Sequence, residues 1–246
     1  MHSKTSLFLI FLFGYGWSGF SQEFLCNADF GLGTFAMKDL KKYQQSVIPD
    51  LPVQVKSISE FPPYIGYGFS MVRFSKAGLG LGISGDFYST GGRNYYEDYS
   101  GYYCFDLLTH AFNLGTVFSY KTNLGKHLIG FLEIQQGIKF STMELNEKLV
   151  VQEPLYDETL NLVNTSWWIR PDMRIEYAFT KMIMAGILIG VEINPGGNLH
   201  LKDKSDAYLA FPSGDKVTIN WSGLRFALSF SLNLASRTDN RNQKTE

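Results

Sequence analysis

In the stretch WSGLRFALSFSLNLA (residues 221–235), every second residue from Leu224 to Leu234 is large and apolar. Between them stand Arg225, Ala227, Ser229, Ser231 and Asn233. A repeat of two puts successive side chains on opposite faces of an extended strand. One face of this segment is therefore wholly apolar, and the other is small and polar with a cation in it. A strand of this kind is stable only between two unlike surroundings, and its length limits what those surroundings are.

The same alternation recurs along the chain. Phe30 and Leu32 alternate with Asp29, Gly31 and Gly33, and Ile65, Tyr67, Phe69 and Met71 with Gly66, Gly68 and Ser70. Leu79, Leu81, Ile83 and Phe87 face one way in GLGLGISGDFY, and Leu108, Phe112, Leu114, Phe118 and Tyr120 in LTHAFNLGTVFSY. The pattern continues through 128–140, 167–179 and 183–193, so eight strands are predicted and helical periodicity is scarce. Strands of soluble domains usually run about five or six residues. These run longer, as a tilted crossing of a bilayer needs.

The predicted connections alternate as well. Residues 75–78, 122–126 and the few around Thr180 are tight, whereas 38–62, 89–101, 142–163 and 195–217 are long and polar. Short turns at one end and long loops at the other are the pattern of an outer-membrane barrel. The polar parity is mostly Gly, Ala, Ser and Asn with a few charges, which suits a crowded lumen better than a solvated face. Lipid leaves no sheet edge unsatisfied, so the sheet must close. Eight strands enclose an interior that side chains just fill. The fold class predicted is all-β, an eight-stranded antiparallel up-and-down transmembrane β-barrel, monomeric and closed to solutes.

The N-terminus MHSKTSLFLIFLFGYGWSGFSQ has a basic Lys4, an apolar run from Leu7 to Phe13, and Gly19 and Ser21 spaced for signal peptidase. Residues 1–21 are read as a signal peptide cleaved near Ser21/Gln22, residues 22–235 as the barrel, and 236–246 as a polar periplasmic tail. The apolar run is too short for a membrane-spanning helix. Export to the cell outer membrane follows, with outer-membrane lipid as the first partner. A formal net charge of −1 carries no footprint for nucleic acid. Cys26 and Cys104 could pair in an exported protein, but the strand assignment puts them at opposite ends of their strands.

The candidate functional residues fall into three groups. Glu133, Lys139, Arg170, Asp172, Arg174, Glu176, Glu192 and Arg225 share the polar parity and should form a lumen network, since buried charges must pair. Arg225 should pair with Glu192 on the preceding strand. Tyr95, Tyr96, Tyr99, Tyr102, Tyr103, Trp167 and Trp168 cluster near predicted strand tops as a candidate aromatic surface, an interfacial girdle or a binding face. His110 shares the lipid-facing parity, which raises the alternative of a lipid A-modifying enzyme. No serine follows it at the spacing such enzymes use. GLGISG at 80–85 matches G-x-G-x-x-G, but no helix follows to receive a pyrophosphate. No catalytic, cofactor or metal site is expected. The reading is a non-enzymatic structural or interaction protein, with a narrow channel or adhesin as a further alternative. Residues 38–62 and 142–163 are the expected partner surfaces, and MKDLKKYQQSV within the first could form a helix over the barrel mouth.

The segments FGLGTFAMKDLKKYQ and STGGRNYYEDYSGYYCFD resemble the first strand–loop and second loop of small outer-membrane β-barrel proteins of the Bacteroidota, and the resemblance extends over the mature chain. It implies an eight-stranded barrel. Some members, the PorT-like proteins of type IX secretion among them, are accessory parts of secretion or envelope machinery, which would make such proteins partners here. Trp221, Gly223, Phe226 and Leu228 approximate the terminal-strand assembly signal, with Trp221 in place of its polar residue.

Overall fold

The computed structural model describes residues 23–48, 55–151 and 153–234. The expected signal peptide and C-terminal tail lie outside the described residues. The barrel consists of β1 (Glu23–Gly33), β3 (Tyr64–Phe74), β4 (Leu79–Asp98), β5 (Gly101–Asn123), β6 (Leu128–Val151), β7 (Glu153–Ala178), β8 (Ile183–Glu192) and β13 (Gly223–Asn233). Each pairs antiparallel with its neighbours in chain order, and β13 returns to pair with β1 from Leu25↔Asn233 to Gly33↔Arg225. The ring is closed, so the barrel itself has no open edge. Tight turns join the strands at the end where β1 begins; the longer links lie at the other.

The alternation of the sequence becomes inside and outside. Leu224, Phe226, Leu228, Phe230 and Leu232 stand exposed on the outer face, while Arg225, Ser229 and Ser231 are buried. The same exposed ladder runs around the ring through Phe30, Phe69, Ile83, Phe112, Ile134 and Ile187. In water each such side chain would forgo roughly 1.5–3 kcal/mol of burial. A belt of this extent exceeds the apolar patches of soluble proteins, which stay near a few hundred Å². The outer face is built for lipid. Among the described residues no helix is long and apolar enough to cross a membrane; the crossing is made by strands.

Two of the expected long loops are strand instead. β4 to β7 are 20, 23, 24 and 26 residues long, against 10 or 11 for the other barrel strands. Most of 89–101 and 142–163 therefore continues the sheet upward as two tall hairpins, and β4 and β5 are joined only through Tyr99 and Ser100. These segments carry polar residues because both faces leave the lipid, not because the pairing ends. β2 (Lys56–Glu60) extends the raised wall beside β4. β10 (His200–Leu201) and β11 (Lys204–Tyr208) extend it beside β7.

The remaining two links fold inward. α1 (Lys38–Ser46) follows β1 and buries Leu40 and Gln44 over the mouth, the helix expected in MKDLKKYQQSV. Gln44 Nε2 donates to Asn94 Oδ1 at 2.9 Å and to the Ser59 carbonyl at 2.8 Å, and Asn94 Nδ2 returns a bond to the Gln44 carbonyl at 2.7 Å. β9 (Gly197–Asn198) and β12 (Thr218–Ile219) pair within the link from β8 to β13, and the Thr218 hydroxyl bonds the Asp39 carboxylate. The two inserted links are thereby joined to each other as one cap.

Candidate functional site

The interior has three layers. At the tight-turn end Leu25, Val72, Phe74, Val117, Phe131 and Met184 form a buried apolar floor. At the other end Phe35, Met37, Leu40, Phe61, Leu199 and Trp221 belong to an apolar ceiling that packs against the raised hairpins. Between them lie the charges, all contributed by the inward parity.

Glu192 is the hub of the upper ionic group. It pairs with Lys139, stands 3.3 Å from Arg225 Nη2 and 3.9 Å from Arg170 Nη1, and its side chain is wholly buried. The Arg225–Glu192 contact is the strand-neighbour pair anticipated above. Arg170 also reaches Asp86 at 2.9 Å and Asp172 at 3.0 Å, and donates to the Tyr88 hydroxyl at 2.9 Å. Arg225 donates to the Thr34 and Trp221 carbonyls at 2.7 and 2.9 Å, which ties the strand to the cap. In the lower group Arg174 pairs with Glu133 and lies 3.6 Å from Glu176. Ser229 and Ser231 donate to Glu176 at 3.0 and 2.5 Å.

Aromatic faces complete the cation environments: Arg174 over Phe131 at 4.8 Å, Arg225 over Tyr88 at 4.5 Å, and Lys139 over Trp221 at 5.2 Å. Such contacts strengthen where water is excluded. A cavity of about 20 Å³ beside Asp29, Asp86 and Arg170 has room for a single water. The eight sequence-picked residues thus meet in two connected groups.

Asp86, Tyr88, Gln135 and Trp221 are equally part of the interior, although the sequence reading omitted them. Asp86 was detectable as the one charge on the inward parity of GLGLGISGDFY. Trp221 was not, because it precedes its strand and enters from the cap. Its indole donates to Ser141 Oγ at 3.0 Å, and its ring meets Phe35 edge-on at 5.1 Å.

The seven picked aromatics do not form one surface. Trp168 is fully buried in the lumen, with its ring 5.4 Å from the Arg170 guanidinium, while Trp167 faces outward. Tyr103 is buried in the ceiling and donates to Glu147 at 2.9 Å. Burial and that carboxylate push its hydroxyl pKa up. Tyr95 and Tyr102 stack at 6.4 Å on the outer face of the first hairpin, and Tyr96 turns the other way to bond Asp98 at 2.8 Å. Tyr99 stands free at the tip. The cause is the repeat of two: sequence neighbours such as Trp167 and Trp168 cannot share a face.

His110 lies on the outer face with its ring stacked at 5.8 Å on Phe87, and its Nδ1 has no hydrogen-bond partner. Ser89 and Thr142 are its cross-strand neighbours. Cys26 and Cys104 are both free. Among the described residues no three His, Cys, Asp or Glu side chains come together to hold a metal ion.

No protein-family profile matches the chain, and no curated protein sequence does. Among solved structures it is similar to the outer membrane protein OprG from Pseudomonas aeruginosa, at 9% identity and a TM-score of 0.48, over 88% of this chain and 97% of that one. It is similar to the attachment invasion locus protein Ail of Yersinia pestis, solved with the heparin analogue sucrose octasulfate, at 9% identity and TM-score 0.36 over 87% and 98%. Neisserial surface protein A gives 9% identity and TM-score 0.35 over 86% and 97%. The class its own geometry defines is the eight-stranded transmembrane β-barrel with a filled lumen.

Proposed function

We propose that the protein is an integral barrel of the outer membrane that carries no reaction and passes no solute. It acts as a structural or interaction protein, or as an accessory subunit of an envelope or secretion complex, through the hairpins and cap at its long-loop end. The observation that carries this reading is the filled lumen: an apolar floor, ion-paired layers and an apolar ceiling in series. A transport path would have to break every one of these layers. The raised β4–β5 and β6–β7 hairpins offer a rigid surface beyond the lipid belt. The resemblance to Bacteroidota barrels, PorT-like proteins included, supports the accessory role and an extracellular placing of that end. Residues 1–21 as a cleaved signal and 236–246 as a periplasmic tail complete the proposal.

The test is gentle native purification from outer membranes, with identification of what co-purifies. Stable envelope or secretion proteins that depart when the β6–β7 hairpin is shortened are the expected result. A protein that alkaline carbonate releases in soluble form, or that purifies alone with the hairpin intact, would contradict it.

A further inference from the structure

Each of the three tight turns, 75–78 (SKAG), 124–127 (LGKH) and 179–182 (FTKM), carries one lysine and no carboxylate. Lys76, Lys126 and Lys181 are exposed, and among the described residues none of them has an ion-pair partner. The Glu23 carboxylate at this end of the barrel is already engaged, by Lys121 and by Asn233 Nδ2 at 2.7 Å.

Backbone bonds gather the turns into one arc. The Ala178 N–H donates to the His127 carbonyl at 2.8 Å, which sets 124–127 beside 179–182. The Lys121 N–H donates to the Gly78 carbonyl at 2.8 Å, which sets 75–78 against the foot of β5. The hairpins β3–β4, β5–β6 and β7–β8 follow one another around the ring, so the three ammonium groups line one rim.

The opposite rim has the reverse balance. Segments 89–101 and 142–163 together contain seven Asp or Glu and only two cations, Arg93 and Lys148. Both are matched, Arg93 by Asp106 at 2.6 Å and Lys148 by Asp157 at 3.1 Å. An anionic surface is therefore attracted at the tight turns and repelled by the raised hairpins.

The lipid belt runs straight into these turns. Leu79, Leu128 and Ile183 open the strands that leave them, Phe179 and Met182 lie within one, and all five are exposed. Phe179 meets Tyr177 edge-on at 5.2 Å, and Tyr177 lies 5.7 Å from the His127 ring. At about 3.3 Å per strand residue, Lys126 is only about 7 Å along the chain from Leu128. A lysine stem lies along apolar surface while its ammonium reaches the head-group level, and tyrosine suits the same boundary. A soluble anion would use the lysines alone. A ligand with a charged head and acyl chains uses both.

We infer that the tight-turn rim is a docking surface for anionic glycerophospholipids, with their phosphates against Lys76, Lys126 and Lys181 and their acyl chains beside Phe179 and the strand feet. The inference rests on the outer-membrane reading above.

The test is native mass spectrometry of the full protein in mild detergent, titrated with phosphatidylglycerol or with phosphatidylcholine of the same acyl chains. Each engaged lysine is worth about fivefold at an anionic surface, so wild type should retain phosphatidylglycerol about 5- to 25-fold better. Raising the ammonium acetate concentration should erode that preference, which tests the wild type without any variant. Lys76→Gln/Lys126→Gln/Lys181→Gln should bring the two lipids to equal retention, and the corresponding three Lys→Arg changes should keep the preference. Lys38→Gln/Lys41→Gln/Lys42→Gln on α1 removes the same net charge from the other rim and should keep it too. Equal retention by wild type, a preference indifferent to salt, one that survives the glutamine changes in the turns, or one lost equally in the α1 variant overturns the inference. Displacement of the lipid by an equal concentration of glycerol 3-phosphate would also overturn it, in favour of a small-anion site. A barrel that inserts in the membrane yet shows any of these leaves the proposed function standing. Release by carbonate would instead remove the ground for both.

Discussion

Replacing Glu192 with Gln tests the sealed lumen most directly. The substitution keeps the volume of the side chain and removes one negative charge from a site facing Lys139, Arg225 and Arg170, with no water-exposed surface on the Glu192 side chain. Breaking a buried ion pair from one side costs about 3–5 kcal/mol, because the remaining charge stays desolvated and unmatched. Arg170 retains Asp86 and Asp172, so the loss falls mainly on Lys139 and Arg225. We expect a loss of about 4 kcal/mol, close to a thousandfold in the folding equilibrium. Urea titration in phospholipid vesicles, followed by the fluorescence of buried Trp168 and Trp221, measures it. Adding Lys139→Met removes the stranded cation, and the double variant should be less destabilised than the two single losses summed, by about 2 kcal/mol. A Glu192→Gln cost below about 1 kcal/mol, with no coupling to Lys139, would mean that water reaches and screens the pair. The closed-lumen argument would then fall.

Further predictions concern the ceiling, the seam and the hairpin tip. Trp221→Ala empties a fully buried site and removes the Ser141 bond, and should cost about 3–5 kcal/mol in the same titration. Wild type in a planar bilayer should show no steady conductance, and a stable open current would refute the three-layer lumen. A Cβ at Gly31 would overlap the Phe226 carbonyl and Ala227 across the closing β1–β13 pair. Gly31→Val should therefore cost about 1–3 kcal/mol and reduce the heat-modifiable folded band on cold gel electrophoresis. At the tip, hydrogen bonds from Ser100 hold the Asp98 carboxyl pKa down, to about 2. A folded pKa below the unfolded one gives a contribution present above the unfolded value of 3.8 and lost as pH falls through about 2. The Ser100 amide shift should stay in its folded position down to that range, and Asp98→Ala should abolish the titration.

Much of this fold is legible in the sequence alone. A repeat of two assigns every strand residue to one of two faces, so Leu224 to Leu232 and Arg225 to Ser231 could be separated by counting alone. The eight strands, their tight turns, the closed ring and the eight buried charges follow from that count together with the chemistry of lipid. Arg225 and Glu192 could be matched because consecutive strands are neighbours in an up-and-down barrel. The seven aromatics lie near one another in the chain, but the repeat of two separates Trp167 from Trp168 and Tyr102 from Tyr103, so nearness in sequence does not make them one surface.

Other features depended on contacts between residues far apart in the chain. Whether a polar stretch is loop or raised strand depends on a partner strand of equal length, and 89–101 and 142–163 found one in their own hairpins. Whether a long link covers a mouth depends on what it packs against, so α1 and Trp221 became a ceiling through Asn94, Ser141 and Phe35. Local alternation set which medium each face meets. Closure in three dimensions decided what fills the barrel and what seals it.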